Sequence, residues 1–314
     1  MSKSVLILVP AYRCEETIRE TLESIQKQGS SLDQVQRVVI AEDGSHDRTA
    51  ETAKAAWHVP VPLQVLEHKF NFGEYANVNH AVEQFAPDVE WFLIMHADNI
   101  AQPRWLEVFL DRIEKATDDI GLIGSSYDVE NEGSIRPGED KSGVVNVLGT
   151  KASIADTLKM GCWWHISSCA IRVATFVRVG GLPKLMQLKG DWDFMLRVLA
   201  DGWTIEHVPQ SLMLYRQNPG GSSSVTFRRH MDMWETMAVI GRFHRALSAS
   251  SLAYIHAWSM WQILRRSVGC VVRLDFIRLL WAFPAMGCIF ASYWNCCLDR
   301  KNSLDGVVSR RTGA

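Results

Sequence analysis

Three short polar clusters follow apolar runs in the first hundred residues: Pro10-Ala11-Tyr12, Glu42-Asp43-Gly44-Ser45 and His96-Ala97-Asp98-Asn99. Carboxylates behind two separate buried runs suit two jobs. One can accept a hydrogen bond from a nucleotide base or ribose, and another can ligate a hard divalent cation. Mg2+ and Mn2+ prefer oxygen ligands and keep substrate phosphates in their shell. Taken singly, each cluster also fits a turn or a helix N-cap, which Asp, Asn and Ser favour.

The elements that must position these residues alternate. Val5–Val9, Gln36–Ala41, Leu63–His68 and Trp91–Met95 read as buried strands, continuous apolar runs of the kind found in parallel sheets. Between and after them, 15–28, 45–56, 75–85 and 103–115 read as helices. Ile18, Leu22 and Ile25 form one stripe, Ser45 is the expected N-cap of the second helix, and Pro103 the expected start of the fourth. Repeated β-α units imply a right-handed, doubly wound, mostly parallel sheet. Ligands bind such sheets beyond the C-terminal strand ends, where all three clusters fall.

Composition narrows the function. The chain has 314 residues, 47% hydrophobic and 22% charged, with a formal net charge of −2 from 33 basic and 35 acidic residues. That balance excludes a disordered chain and gives no electrostatic case for nucleic acid. Seven irregularly spaced cysteines make no disulfide framework, and the N-terminus does not read as a signal peptide, so a cytoplasmic, reducing location is expected. No GxGxxG follows the first strand and no GxxxxGK[ST] occurs, which argues against dinucleotide and P-loop binding.

Val9-Pro10-Ala11-Tyr12, Glu42-Asp43-Gly44-Ser45 with Asp47 and Thr49, Asn71-Phe72-Gly73 with Asn79, and His96-Ala97-Asp98 together resemble the family 2 glycosyltransferases of GT-A fold. The resemblance continues through Gly180-Gly181-Leu182-Pro183, Gly190-Asp191-Trp192-Asp193-Phe194, Gly202 and Tyr215-Arg216, covering about residues 4–220. It implies a catalytic domain over 1–225, with a nucleotide-sugar half to about 115 and an acceptor half from 116, followed by a helical region over 226–314.

The implied activity is inverting transfer of a sugar from a nucleotide-diphosphate donor to a hydroxyl of a glycan or lipid-linked acceptor. The resemblance gives the donor site Pro10, Ala11, Tyr12, Glu42, Asp43, Asn71, Gly73, Ala97 and Arg216. Within it, Asp43 resembles the reader of the base, and Arg216 lies near the diphosphate with Pro219–Ser224 as a mobile lid. Asp98, with His96, resembles the holder of Mn2+ or Mg2+, and Asp191 the general base, Asp193 being the other candidate.

Three positions depart from the family pattern. His96 replaces the first acid of DxD, Glu42 an aspartate, and Gly190 the glutamate before Asp191. They keep a second reading open, a catalytically silent sugar-binding protein on the same fold. Asp193 also fits as the N-cap of a helix over 194–200. His207 reads either as a late metal ligand or as a packed histidine, and Trp163, Trp164 and His165 either as a sugar platform or as core.

The last third carries another signal. From Arg228 to Arg278 there are eight arginines, no lysine and three acids, interleaved with aromatic residues. Leu279–Leu298 has no charge, yet contains Pro284 and Gly287, which are expected to interrupt a straight span. Peripheral association with anionic lipid at the cytoplasmic face of a membrane and packing as a homo-oligomer are the two expectations.

Overall fold

The computed structural model describes residues 3–138, 143–217 and 229–311, with side chains described through Lys301. The chain divides into two compact units. The first comprises Met1–Ser153, Trp163–Leu185 and Phe194–Pro219, the second Ile154–Cys162, Met186–Asp193 and Gly220–Ala314.

The first unit is built on one sheet. Its strands are β1 Val5–Ala11, β2 Val35–Glu42, β3 Leu63–Glu67, β4 Trp91–Ile94, β5 Ile100–Ala101, β6 Ile120–Asn131, β7 Ser134–Arg136, β8 Val145–Val147, β9 Cys169–Arg172 and β10 Thr204–Arg216. The order is β3-β2-β1-β4-β9-β6-β10-β5, with β7 beside β6 and β8 beside β10. Strands β1, β2, β3 and β4 pair in parallel, as do β6 and β10. Strand β9 runs antiparallel to both β4 and β6, and the edge strand β5 runs antiparallel to β10, so the mostly parallel row is inverted at these two positions.

The helices of this half are α1 Ile18–Gln26, α2 Thr49–Ala56, α3 Glu74–Phe85 and α4 Trp105–Lys115. Alternation along β1 divides the core. Val5, Ile7 and Val9 share one cluster with Ile18, Leu22 and Ile25 of α1, Ala53 of α2, and Trp105 and Phe109 of α4. Leu6 and Leu8, also fully buried, point to the opposite face, which is why β1 reads as unbroken hydrophobicity. Each such side chain contributes roughly 1.5–3 kcal/mol on burial, enough to fix the sheet's register.

Two helix starts differ from the sequence reading. The second helix begins at Thr49 rather than Ser45, because the Ser45 hydroxyl accepts the Arg13 N–H at 2.7 Å and Asp47 Oδ1 accepts the Thr49 N–H at 3.0 Å. The fourth begins at Trp105. Pro103 sits instead in a turn closed by the Trp105 N–H on the Gln102 carbonyl at 3.1 Å, with Arg104 left-handed at φ 67°. That is the type II pattern, with proline at the second position and a positive φ at the third.

After α5 Lys151–Met160, α6 Val173–Arg178 and α7 Gly190–Ala200 come three longer helices: α8 Met231–Phe243, α9 Ala249–Val272 and α10 Phe276–Arg311. Helix α7 starts at Gly190, so Asp193 is inside its first turn and does not cap a helix over 194–200. Helix α10 runs on through Pro284 without a break, contrary to the expected interruption. Helices α9 and α10 are antiparallel, tied by His256 Nε2 to Ser292 Oγ at 3.2 Å, and Arg245, in the turn before α9, pairs with Asp299 at 2.9 Å.

Candidate functional site

The parallel strands end together, and backbone hydrogen bonds beyond their last residues hold the ends in register. The Ala97 N–H donates to the Pro10 carbonyl at 3.1 Å, the Asp43 N–H to Ala11 at 2.9 Å and the His68 N–H to Glu42 at 3.0 Å. The polar clusters after β1, β2 and β4 are thereby neighbours, and Tyr12 stands half-exposed beside them.

Behind β2, the two carboxylates have structural duties. Glu42 is buried and accepts the N–H groups of Gly44 and Ser45 at 3.2 and 2.6 Å, closing the turn beneath the crevice. Gly44 has φ 72°, and a Cβ there would lie 2.5 Å from the Phe70 carbonyl carbon, so only glycine fits. Asp43 is buried too. Its two oxygens accept the N–H groups of Phe72 and Gly73, both at 2.9 Å, and so clamp the Asn71-Phe72-Gly73 loop. Burial pushes its carboxyl above the usual aspartate range, against the opposing pull of those N–H groups and of His68 and His80. Each oxygen retains a second lone pair for a ligand.

Asn71 Oδ1 accepts the Gly73 N–H at 3.0 Å, and Asn79 ties down Leu182 through its N–H at 2.8 Å and its carbonyl at 2.9 Å. Both asparagines therefore shape backbone. The rings of His68, Phe72 and His80 meet edge to face at 5.1–5.4 Å, with Phe72 half-exposed. This aromatic group beside the Asp43 clamp was not legible in the sequence, where its members are scattered over α3 and the loop before it.

After β4, Asp98 and His96 lie near two partners from elsewhere. His96 Nε2 is 3.3 Å from Glu74 Oε1 at the start of α3, and its ring is 5.7 Å from that of His165. Burial pushes the Asp98 carboxyl upward and Glu74 adds to it, opposed by His96 and Arg216. Burial would raise Glu74 as well, but His96 outweighs it and holds Glu74 below its ordinary value. Burial and His96 hold His165 neutral, its pKa pushed down to about 3. Its Nδ1 accordingly accepts the Ser167 N–H at 3.1 Å. Among the described residues no three His, Cys, Asp or Glu side chains form a group ready to hold a metal on their own. Asp98, with the His96–Glu74 pair nearby, could at most contribute part of a cation's oxygen shell.

Arg216, at the end of β10, crosses to this cluster. Its backbone N–H reaches Asn99 Oδ1 at 3.2 Å, its Nε donates to the Asp98 carbonyl, and Nη1 pairs with Glu20 at 2.5 Å. Its Nη2 is buried with no acceptor among the described residues. The expected lid at Pro219–Ser224 lies outside the described residues. His207 packs on the Trp163 ring at 5.4 Å, with Ser126 Oγ 3.4 Å from Nε2.

Asp191 and Asp193 belong to the second unit. Asp191 is half-buried, and its Oδ1 accepts the Trp192 N–H at 2.8 Å. Asp193 is wholly buried and paired with Arg242 of α8 at 2.5 Å. Glu235, also on α8, accepts three successive N–H groups, those of Gln187, Leu188 and Lys189, each at 2.8 Å. That carboxylate fixes the loop leading into α7, and nothing in the sequence around Glu235 announces it.

The family model "Glycosyl transferase family 2" matches residues 6–180. A Haemophilus influenzae protein described as an uncharacterized glycosyltransferase is 30% identical over 141 residues, 44% of this chain and 42% of that protein. The match thus spans less than half of that relative's length. Among solved structures, S. aureus TarS 1-349 in complex with UDP-GlcNAc superposes with a TM-score of 0.60 at 16% identity, over 95% of this chain and 92% of that one. The mannosyltransferase PcManGT from Pyrobaculum calidifontis, in complex with GDP-Man and Mn2+, gives 0.54 at 16% identity, over 94% and 87%. At such identities these likenesses establish the fold, which is of the GT-A type.

Proposed function

The chain belongs to glycosyl transferase family 2, and from that premise we propose that it transfers a sugar, with inversion, from a nucleotide-diphosphate donor to a hydroxyl of a glycan or lipid-linked acceptor. The observation that carries this reading is the meeting of three groups at the strand ends. These are the Asp43-clamped loop, the Asp98–His96–Glu74 cluster, and Arg216 with a donor to spare.

In this reading Pro10, Ala11 and Tyr12 line the nucleoside side, and Asp43 presents its remaining lone pairs to the base. Glu42, Asn71 and Gly73 act through the backbone they hold, and Ala97 lines the floor. Asp98 supplies an oxygen to a divalent cation, Mn2+ or Mg2+, and the neighbouring His96–Glu74 pair a further donor. When bound, that cation neutralises charge on the departing nucleoside diphosphate. Arg216 donates to the same phosphates. Asp191 accepts the proton of the acceptor hydroxyl, while Asp193, buried against Arg242, holds the fold.

We further propose that the second unit lies at the cytoplasmic face of a membrane rather than forming a dimer. Its support is α10, where Phe276–Lys301 is the single stretch among the described residues with the length and composition to cross a membrane, and little of it is buried.

Thermal-shift and calorimetric titration of UDP and GDP, each with and without Mn2+, test the donor site. The expected outcome is tight binding of one nucleotide with Mn2+ and weak binding without it, the dependence disappearing in Asp98→Asn. Binding that ignores both Mn2+ and Asp98 would overturn the metal assignment. Cleavage of the matching nucleotide sugar separates an enzyme from a silent binder.

A further inference from the structure

The turn between α9 and α10 is built with care. Helix α9 closes with the Leu274 N–H on the Val271 carbonyl at 3.2 Å and the Asp275 N–H on Cys270 at 2.9 Å. Leu274 takes the left-handed φ of 57° that glycine usually supplies at this place. Asp275 then opens α10, its Oδ1 accepting the Arg278 N–H at 3.1 Å.

Beside this turn is a cavity of about 320 Å³, walled by Arg265, Arg266, Arg273 and Arg278, with Gly269, Cys270 and Asp275 completing it. The one carboxylate in the wall is already engaged as the cap, so the wall itself carries four arginines against a single acid. Arg266 is anchored from behind by the buried Asp232 at 2.8 Å. Arg278 keeps a buried Nε–H with no acceptor among the described residues. A buried donor left unpaired is costly, and an anion in the cavity would supply its acceptor.

The tip that carries these arginines is apolar. Val272 and Ile277 are 79% and 76% exposed, and Leu274, Phe276 and Leu280 are each exposed by more than half. Large apolar side chains exposed together beside cations mark a surface that meets a partner or a membrane, and the arginines favour the membrane. An apolar tip dipping into the acyl boundary brings its arginines to the depth of the headgroup phosphates, which guanidinium groups bind in bidentate fashion.

We infer that the α9–α10 tip is a lipid-phosphate site, in which the four-arginine cavity takes the phosphate of an anionic phospholipid while Val272, Leu274, Phe276 and Ile277 insert beneath it. This rests on the reading that the second unit lies at a membrane surface, and adds to it a defined point of attachment and a headgroup chemistry.

The test is co-sedimentation of the full chain with vesicles of phosphatidylcholine alone or mixed with phosphatidylglycerol. Wild type should bind only the anionic vesicles. Arg273→Gln/Arg278→Gln should weaken that binding about thirtyfold, from the usual contribution of two basic residues near an anionic surface. Val272→Asp/Ile277→Asp should weaken it comparably, and Arg48→Gln/Arg104→Gln, which removes the same charge from exposed positions of the first unit, should leave it unchanged. If the tip arginine variant keeps its circular dichroism and its nucleotide binding yet sediments like wild type, the cavity assignment is wrong and the membrane reading stands. Absence of wild-type binding to any vesicle overturns both. In that case, Arg278-dependent stabilisation by glycerol 3-phosphate would identify a soluble phosphate, and a dimer broken by Ile277→Asp would identify a second copy as the occupant.

Discussion

Asp191 and Asp193 share one helical turn but not one environment. Asp193 is wholly buried against a half-exposed Arg242, so Asp193→Asn removes a charge-assisted pair and should cost about 1–3 kcal/mol of stability, read as a lower Tm. Asp191 is half-buried, and Asp191→Asn should leave Tm nearly unchanged while slowing turnover about 10²–10⁴-fold with donor affinity intact. The reverse pattern would exchange their roles. His165 gives a second residue-level prediction. With its folded pKa near 3 and an ordinary value near 6.5, the unfolded chain takes up a proton in that window that the folded chain refuses. Stability from this group is therefore complete above about pH 6.5 and declines as the pH falls, by on the order of 1–2 kcal/mol at pH 5. His165→Phe should flatten the wild-type decline in chemical denaturation between pH 7 and 5. The sequence brought Asp43 and Asp98 forward by type and position, and Arg216 through the family resemblance. It concealed Glu74, and showed His165 only as sugar platform or core, because their place beside His96 depends on the approach of α3 and of the segment before β9 to β4, which no local spacing encodes.

Turns and loops carry the next level. The Glu42–Ser45 turn has no freedom at Gly44, where Gly44→Ala would combine a left-handed φ with a Cβ pressed on the Phe70 carbonyl. We expect a loss of about 2–4 kcal/mol and weaker nucleotide binding, because the same turn presents Asp43. Glu235 is the corresponding device before α7, a positioning residue that touches three backbone N–H groups. Glu235→Ala should lower kcat and leave the donor Kd alone, and Glu235→Gln, which still offers one carbonyl oxygen, should recover part of the rate. Equal loss in donor binding would show that the clamp serves something other than the loop into α7. The strands were legible because β1, β2 and β4 are buried on both faces and so read as apolar runs. Helix starts were less so. Ser45 and Pro103 are good starters by type, but tertiary demands took both, Ser45 for a bond to the β1 loop and Pro103 for a type II turn.

At the scale of the molecule, the net charge of −2 conceals a segregation. The acidic clusters sit at the strand ends of the first unit, whereas the second unit gathers arginines at the α9–α10 tip. The aromatic and arginine content of this region was plain in the sequence. Its arrangement as a hairpin was not, since α10 passes through Pro284 and its direction is set by tertiary pairings such as His256 with Ser292 and Arg300 with the Leu247 carbonyl. The two kinds of binding should consequently respond differently to salt. Attraction of exposed arginines to an anionic surface is screened as the Debye length falls from about 10 Å at 0.1 M to about 3 Å at 1 M. Nucleotide bound as proposed, through a buried carboxylate, a cation and hydrogen bonds, would be screened far less. Raising NaCl over that range should release most of the chain from anionic vesicles while changing the Mn2+-dependent nucleotide Kd only a few-fold. Vesicle binding that persists undiminished at 1 M would mean that the apolar tip, not its arginines, holds the protein at the membrane. Loss of both together would mean that one site serves lipid and nucleotide alike.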